Sequence, residues 1–250
     1  MTAGESTLLI DMGNSRVKWA LANESTRDVG EPFANRGSDT DFSLLDTVPR
    51  PAKIVVANTA GEACASIFSA WCNRVWGLTP QFLKSPARQG GLRNSYADPQ
   101  ALGVDRWLAM VAARQTREGA FAVVDCGTAI TVDAVSSDGD FLGGVISAGP
   151  ATSLRALTNA VNHLRADTLE YAGALNINTA SALASGALIF AVGGIERALL
   201  EFEDTLGNDL HVVLTGGDSS QIADLMDRSV EHCPHLVLEG LQFAAGQASE

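Results

Sequence analysis

The sequence predicts an α/β chain made of two similar halves that meet near Gly119. Three observations carry this reading. A hairpin of strand, Asp-x-Gly turn and return strand occurs once in each half. Elsewhere, short apolar strands alternate with longer helical stretches, the pattern of βα units. The 250 residues, 46% of them hydrophobic, suffice for two domains of about 125 residues each. The expected division is 1–118 and 119–250.

In the first half, Thr7 to Ile10 reads as an apolar strand running into Asp11. Met12-Gly13-Asn14-Ser15 reads as a turn and Val17 to Leu21 as the return strand, with Lys18 among apolar neighbours. The second half repeats this 114 positions later. Phe121 to Val124 runs into Asp125, Cys126-Gly127-Thr128-Ala129 turns, and Ile130 to Val135 returns. Aligned without a gap, Asp11 matches Asp125, Gly13 matches Gly127, Asn14 matches Thr128 and Ser15 matches Ala129. Each hairpin leads into a polar, turn-rich stretch, Asn23–Gly30 and Ser136–Asp140. Helices are expected over Ala60–Val75 and Leu102–Thr116 in the first half. In the second half they are expected over Ser153–Leu164, Ala180–Leu206 and Ser219–Val230. Lys53–Ala57 and His211–Leu214 are short strands between them, and Gln89–Pro99 reads as a polar, flexible loop before a helix.

Composition excludes several classes of function. Seventeen Lys and Arg against 29 Asp and Glu leave a net charge of −12. So acidic a chain lacks the basic patch that displaces counterions, and no nucleic-acid partner is expected. No run reaches the roughly 18 apolar residues of a membrane helix. The richest, Ala187–Leu200, is cut by Gly193-Gly194 and charged at Glu196 and Arg197, so no membrane association is expected. The N-terminus has Glu5 and Asp11 and no basic start, unlike a secretory signal, which points to the cytoplasm. The cysteines Cys64, Cys72, Cys126 and Cys233 show no CxxC spacing and read as reduced thiols. His232-Cys233-Pro234-His235 lacks the second ligand cluster of a zinc site.

The paired turns are the main chemical signal. Glycine lets backbone N–H groups point at an anion, and Asn14, Ser15 and Thr128 add side-chain donors. A strand-end carboxylate can hold a cation that neutralises phosphates, and Lys18 can meet a phosphate as a point charge. One Asp-x-Gly turn alone commonly just closes a hairpin. Two in equivalent places favour a nucleotide cleft between domains. No lysine sits in GxxxxGK[ST] and no GxGxxG follows a strand, so neither a Walker A loop nor a dinucleotide fingerprint is present. The glycines of Leu214-Thr215-Gly216-Gly217-Asp218 can let a flat adenine or a ribose approach the backbone, or the run can be a tight turn with Asp218 or Ser219 capping a helix. Leu142–Pro150 is open in the same way: its glycines can approach the nucleotide or simply pack. In Gly103-Val104-Asp105-Arg106, Asp105 can be a general base and Arg106 a carboxylate or phosphate clamp, or Asp105 can be favoured by the helix dipole alone. Tyr96 lies just upstream, and Asn178-Thr179 opens the long helix, where either can serve as the cap.

Together these segments resemble the type III pantothenate kinases of the acetate/sugar kinase–Hsp70–actin superfamily. The resemblance rests on Asp11-Met-Gly-Asn-Ser-Arg-Val-Lys18, on Tyr96 ahead of Gly103–Arg106, and on Asp125-Cys-Gly-Thr-Ala-Ile-Thr-Val-Asp133. It continues through Gly143-Gly144, Asn178-Thr179 and Thr215-Gly-Gly217, in the expected order over most of the chain. It implies two ribonuclease-H-like domains with ATP between them. The reaction it implies is phosphorylation of pantothenate on its primary hydroxyl, the first step of coenzyme A synthesis. By position, Asp11, Met12, Gly13, Asn14, Ser15, Arg16, Val17 and Lys18 would bind ATP, helped by Thr128. Asp105 would be the proton acceptor, with an ordinary carboxylate pKa near 4. Asp125 would bind a monovalent cation, K⁺ or NH₄⁺, while Mg²⁺ accompanies ATP. Tyr96, Gly103, Val104, Asp105, Arg106 and Thr179 would surround pantothenate. A homodimer is implied, with Thr179 reaching the neighbouring subunit's pocket. Two positions depart from the family pattern: Ser15 replaces a usual Thr but keeps the hydroxyl, and Ser147-Ala-Gly-Pro150 replaces a usual Pro-Gly arrangement. The alternatives are another kinase or phosphatase of the superfamily, or a nucleotide-binding regulatory protein without turnover.

Overall fold

The computed structural model describes residues 6–247 except 24–25, 167 and 208–209. Glu5, and Glu24 and Ser25 of the polar stretch after the first hairpin, lie outside the described residues. In chain order the strands are β1 (Thr7–Met12), β2 (Arg16–Ala22), β3 (Arg27–Val29), β4 (Phe33–Ala34), β5 (Lys53–Asn58), β6 (Gln81–Phe82), β7 (Arg88–Gln89), β8 (Leu92–Asn94), β9 (Phe121–Cys126), β10 (Ala129–Val135), β11 (Asp140–Ala148), β12 (His211–Thr215) and β13 (Glu231–His232). The helices are α1 (Glu62–Trp76), α2 (Val104–Thr116), α3 (Pro150–Ala160), α4 (Thr179–Leu206), α5 (Ser219–Ala223) and α6 (Leu236–Gln247). The chain divides into two units, Met1–Thr116 with His235–Glu250, and Arg117–Pro234. The junction lies close to Gly119, but α6, placed by the sequence reading in the second half, belongs to the first unit. The reason is packing: Gly240 lets α6 touch the α2 backbone, where a Cβ would stand 2.1 Å from the Leu108 carbonyl oxygen.

In the first unit the strand order is β3-β2-β1-β5-β6, with β4 pairing β2. β1 and β2 are antiparallel, β1 and β5 parallel. The period-2 alternation of β1 sets its two faces. Leu8, Ile10 and Met12 enter a core with Phe68 and Trp71 of α1. Leu9 and Asp11 take the opposite face. A fully buried side chain of that core contributes about 1.5–3 kcal/mol. α1 ends at Gly77, whose φ of +66° suits glycine and whose N–H caps the Asn73 carbonyl at 2.9 Å. The expected flexible loop over Gln89–Pro99 contains instead the β7–β8 hairpin, turning at Gly90 and Gly91 with φ of +58° and +82°.

The second unit repeats the topology. Its strands run β13-β12-β9-β10-β11, with β9–β10 antiparallel and β9–β12 parallel. Each strand of this order has its counterpart in β6-β5-β1-β2-β3. Ala122, Val124 and Cys126 of β9 pack with Leu188, Val192, Ile195 and Leu199 of α4. α4 has 28 residues, and its most apolar 18-residue window has a mean hydropathy of 1.6. By length and composition it could cross a bilayer, contrary to the sequence reading; those four residues pack one face of it into the core of the second unit. The helix expected over Ser219–Val230 stops at Ala223. The following segment turns onto α4 instead, with Asp227 N–H donating to Glu196 (2.8 Å) and Arg228 to Glu203 (2.6 Å).

Candidate active site

The turn after β1 is set by its hairpin. Gly13 N–H donates to the Arg16 carbonyl at 3.1 Å, and a Cβ on Gly13 would press on that oxygen at 3.3 Å. Asp11 and Lys18 are directly paired across β1 and β2 and therefore share a face. Met12 and Val17, the next pair, point the other way into the core. Asp11 is buried, while Asn14, Ser15 and Arg16 are exposed. The result is an exposed, donor-rich tip backed by one lysine, which suits an anion.

The start of α2 stands on the same face. Asp105, in the first helical turn, is half-buried and accepts from Arg106 N–H at 2.8 Å. Gly103 makes room for it, because a Cβ there would lie 2.7 Å from Asp105 Oδ1. Arg106 is buried, and its Nη1 donates to Tyr96 Oη at 3.4 Å. Tyr96 is placed in turn by its N–H, which donates to Asn94 Oδ1 at 3.1 Å, while Asn94 Nδ2 donates to the Pro99 carbonyl at 3.1 Å. Val104 is buried, so its side chain anchors the helix start. Burial pushes the Asp105 carboxyl above the ordinary carboxylate range. The Arg106 N–H, the Arg106 charge and the Lys18 charge pull it part of the way back. The expectation of an unperturbed carboxyl is thus corrected: desolvation outweighs the two cations.

In the second unit Asp125, half-buried, is the last residue but one of β9, and Gly127 N–H donates to the Ala129 carbonyl at 3.0 Å. This turn is one residue shorter than the first. Ala129 already lies in β10 and takes the place of Arg16, which corrects the gapless match of Ala129 with Ser15. Across the ladder from Asp125 stands Thr131, where the first hairpin has Lys18. The Thr131 hydroxyl oxygen is buried and has no hydrogen-bond partner among the described residues.

Two glycine segments buttress this turn. Gly149 packs so closely that a Cβ would stand 1.9 Å from the Gly127 carbonyl oxygen, and its N–H donates to the Thr128 carbonyl at 3.0 Å. Thr152 Oγ1 donates to the same carbonyl at 2.7 Å, leaving the Thr128 side chain outward and exposed. Gly216, with φ of +99°, lies against Asp125 and Cys126, where a Cβ would meet Asp125 Oδ1 at 2.5 Å. Asp218 makes no side-chain cap on α5. Burial, with the charges of Asp125 and then Asp218 added, pushes the Cys126 thiol far up. Neither Asp218 nor Thr131 stood among the expected site residues; the Thr-Gly-Gly-Asp run was the available signal for the first. At the start of α4, Asn178 takes the capping role by accepting from Ser181 N–H at 2.9 Å, and Thr179 is exposed beside it.

The structure therefore gathers Asp11, Lys18, Tyr96, Gly103, Asp105 and Arg106 in the first unit. Asp125, Thr128 and Thr179 belong to the second. A family profile for type III pantothenate kinases matches residues 7–201. The type III pantothenate kinase of Nitrosococcus oceani is 36% identical over 255 residues, covering 97% of this chain and 95% of its own length. That of Nitrosospira multiformis is 33% identical over 244 residues, covering 97% and 92%. Among solved structures, a Campylobacter jejuni protein described as a Baf family transcriptional activator superimposes with a TM-score of 0.62 at 21% identity, covering 97% and 98% of the two chains. The activator of 2-hydroxyisocaproyl-CoA dehydratase from Clostridium difficile gives 0.56 at 12% identity, covering 98% and 96%. At such identities the structural likeness speaks for the fold alone, the actin-like ATPase and sugar kinase fold of two ribonuclease-H-like domains.

Proposed function

The chain belongs to the type III pantothenate kinase family, and from that premise we propose how its residues divide the work. The chain is a phosphotransferase with an alcohol acceptor: it converts ATP and pantothenate to ADP and 4′-phosphopantothenate, the first step of coenzyme A biosynthesis. Asp105 accepts the proton of the pantothenate primary hydroxyl as that oxygen bonds to the γ-phosphorus and the bond to the β-phosphate oxygen breaks. The observation that carries this role is a half-buried carboxylate beside a buried arginine, on the same sheet face as Lys18. A raised pKa makes it a stronger base than a solvated carboxylate. Arg106 and Tyr96, with Gly103, Val104 and Thr179, hold pantothenate; the segment Asp11–Lys18 and Thr128 hold the ATP phosphates. Phosphoryl transfer needs positioning and charge neutralisation rather than covalent chemistry, and these groups supply both. The test is incubation of the purified protein with ATP, Mg²⁺, K⁺ and pantothenate, followed by mass detection of 4′-phosphopantothenate. ATP binding without that product would favour the regulatory alternative. Location in the cytoplasm, where ATP is available, is part of the same reading.

Asp125 is the residue proposed to hold K⁺ or NH₄⁺, with Mg²⁺ accompanying ATP. The donors suit a hard cation: a carboxylate, and opposite it the unsatisfied hydroxyl oxygen of Thr131. Asp11 has the positive Lys18 across its ladder, whereas Asp125 has a neutral residue there. A bound cation would offset negative charge on the transferring phosphoryl group. Activity is expected to require K⁺ or NH₄⁺, with Na⁺ failing to substitute, and Asp125→Ala should abolish the K⁺ response. Full turnover in Na⁺ alone, or an unchanged K⁺ titration in the variant, would remove this assignment.

A homodimer sharing its pantothenate pocket completes the reading. Its support is the apolar surface of the second unit, where Leu175 is 97% and Phe190 83% exposed and Leu142, Val145 and Ile146 of β11 are also uncovered. With Thr179 contributed by the neighbouring subunit, mixing Asp105→Asn with Thr179→Val would leave each heterodimer one wholly wild-type site. Random exchange then restores roughly a quarter of all sites. Activity staying at the mutant baseline, with exchange verified independently, would place both residues in one chain's pocket.

A further inference from the structure

The exposed turn after β1 is also gripped from outside its own hairpin. β4 pairs with the start of β2, Arg16 opposite Ala34 and Val17 opposite Phe33, and this brings the next residue, Asn35, onto the turn. Asn35 is buried. Its backbone N–H donates to the Ser15 carbonyl at 2.9 Å and its Nδ2 to the Gly13 carbonyl at 2.7 Å. Its Oδ1 accepts from Gly37 N–H (2.9 Å), from the Thr40 hydroxyl (2.6 Å) and from the Cys64 thiol of α1 (3.5 Å). These neighbours fix the orientation of the amide. Turned over, it would set two carbonyl oxygens 2.7 Å apart and face its NH₂ toward the Gly37 N–H, which cannot accept. Gly37, with φ of +64°, folds the chain back so that Thr40 reaches the amide.

A backbone turn binds an anion when its N–H groups face the ligand and its carbonyls do not. Asn35 holds the Gly13 and Ser15 carbonyls on its own side. The second unit treats its equivalent turn alike, with Gly149 N–H and the Thr152 hydroxyl both on the Thr128 carbonyl. We propose that Asn35 is a positioning residue for the phosphates of ATP, acting through the Gly13–Ser15 turn. The inference rests on the reading of that turn as the phosphate site.

The experiment measures ATP and pantothenate affinity calorimetrically for the wild-type protein, Lys18→Ala, Asn35→Asp, Asn35→Ala and Thr40→Val. Lys18→Ala tests the site itself: ATP affinity unchanged in that variant would refute the reading of the turn. With that loss present, Asn35→Asp is expected to weaken ATP roughly ten-fold at neutral pH while pantothenate binding is kept. The introduced carboxylate cannot donate to the Gly13 carbonyl. On acidification it becomes a neutral acid that can, so ATP affinity relative to wild type should recover in Asn35→Asp and not in Asn35→Ala. Thr40→Val, which removes one donor to Oδ1 and leaves the bond to Gly13, should show a smaller loss; it and Asn35→Asp decide the matter if the alanine variant does not fold. Wild-type ATP affinity in Asn35→Asp overturns the proposal, and so does an equal loss of both ligands with no acid recovery.

Discussion

Asp105→Asn is expected to lower kcat by at least about 10²-fold without weakening the fold. The change keeps the shape of the side chain and removes the only group at the start of α2 that can take a proton. Arg106 and Tyr96 stay bonded to one another, so pantothenate binding should survive. Stability should move the other way from activity. Burial raises the Asp105 pKa in the folded protein above its unfolded value. Such a group contributes stability that is fully present below the unfolded pKa and is lost as pH rises through the folded one. Above the folded pKa the ionised carboxylate is therefore a net burden, and there the asparagine protein should unfold at a temperature no lower than wild type. That advantage should vanish as pH falls through the raised folded pKa. The same shift governs the wild-type rate: kcat/KM should fall on its acid side at a pH above the ordinary carboxylate range. Steady-state kinetics together with thermal unfolding at two pH values check all three statements. A near-normal kcat would leave Asp105 as a residue that the helix dipole alone accounts for.

What could be read from the chain, and what could not, follows from the range of the interactions involved. The two hairpins were legible because alternation and turn chemistry are local: β1 and β9 begin where the apolar runs begin, and Asp11 and Asp125 end them. The missing residue in the second turn was not, since register is set by cross-strand pairing, and only the pairing of Asp125 with Thr131 reveals it. α6 escaped because it is buried nearly all round, from Leu236 through Ala245, and so carries no clear amphipathic stripe. The β7–β8 hairpin was hidden in a polar stretch, although Gly90-Gly91 is a fair hairpin signal. Asp105 and Arg106 were legible as a motif, but the direction of the Asp105 pKa was not, because desolvation depends on what the fold stacks around it. Asn35 carried no local signal at all. Its role arises from β4 pairing with β2, which sets it on a turn twenty residues upstream.

Gly216→Ala is expected to damage the second unit in stability and function together. The residue follows β12, whose Thr215 pairs with Asp125 of β9, so the turn is held tightly over the end of the neighbouring strand. Its φ of +99° lies where an alanine is strained, at about 1–3 kcal/mol for the backbone alone. The new Cβ would also stand 2.2 Å from the Cys126 carbonyl oxygen and 2.5 Å from Asp125 Oδ1. The first neighbour is backbone and cannot rotate away, so the turn must lift. Lifting it strains the bond from Asp218 N–H to Cys126 C=O at 2.9 Å and the bond from Ser219 Oγ to Gly216 C=O at 2.6 Å. The carboxylate of Asp125, the other neighbour, can rotate, and it should turn away from the position proposed for the cation. A lower denaturation midpoint and a loss of K⁺ activation should therefore appear in the same variant. A destabilised protein that kept its full K⁺ response would separate the turn's packing role from Asp125, and wild-type stability would mean the turn relaxes without the contacts that now fix it.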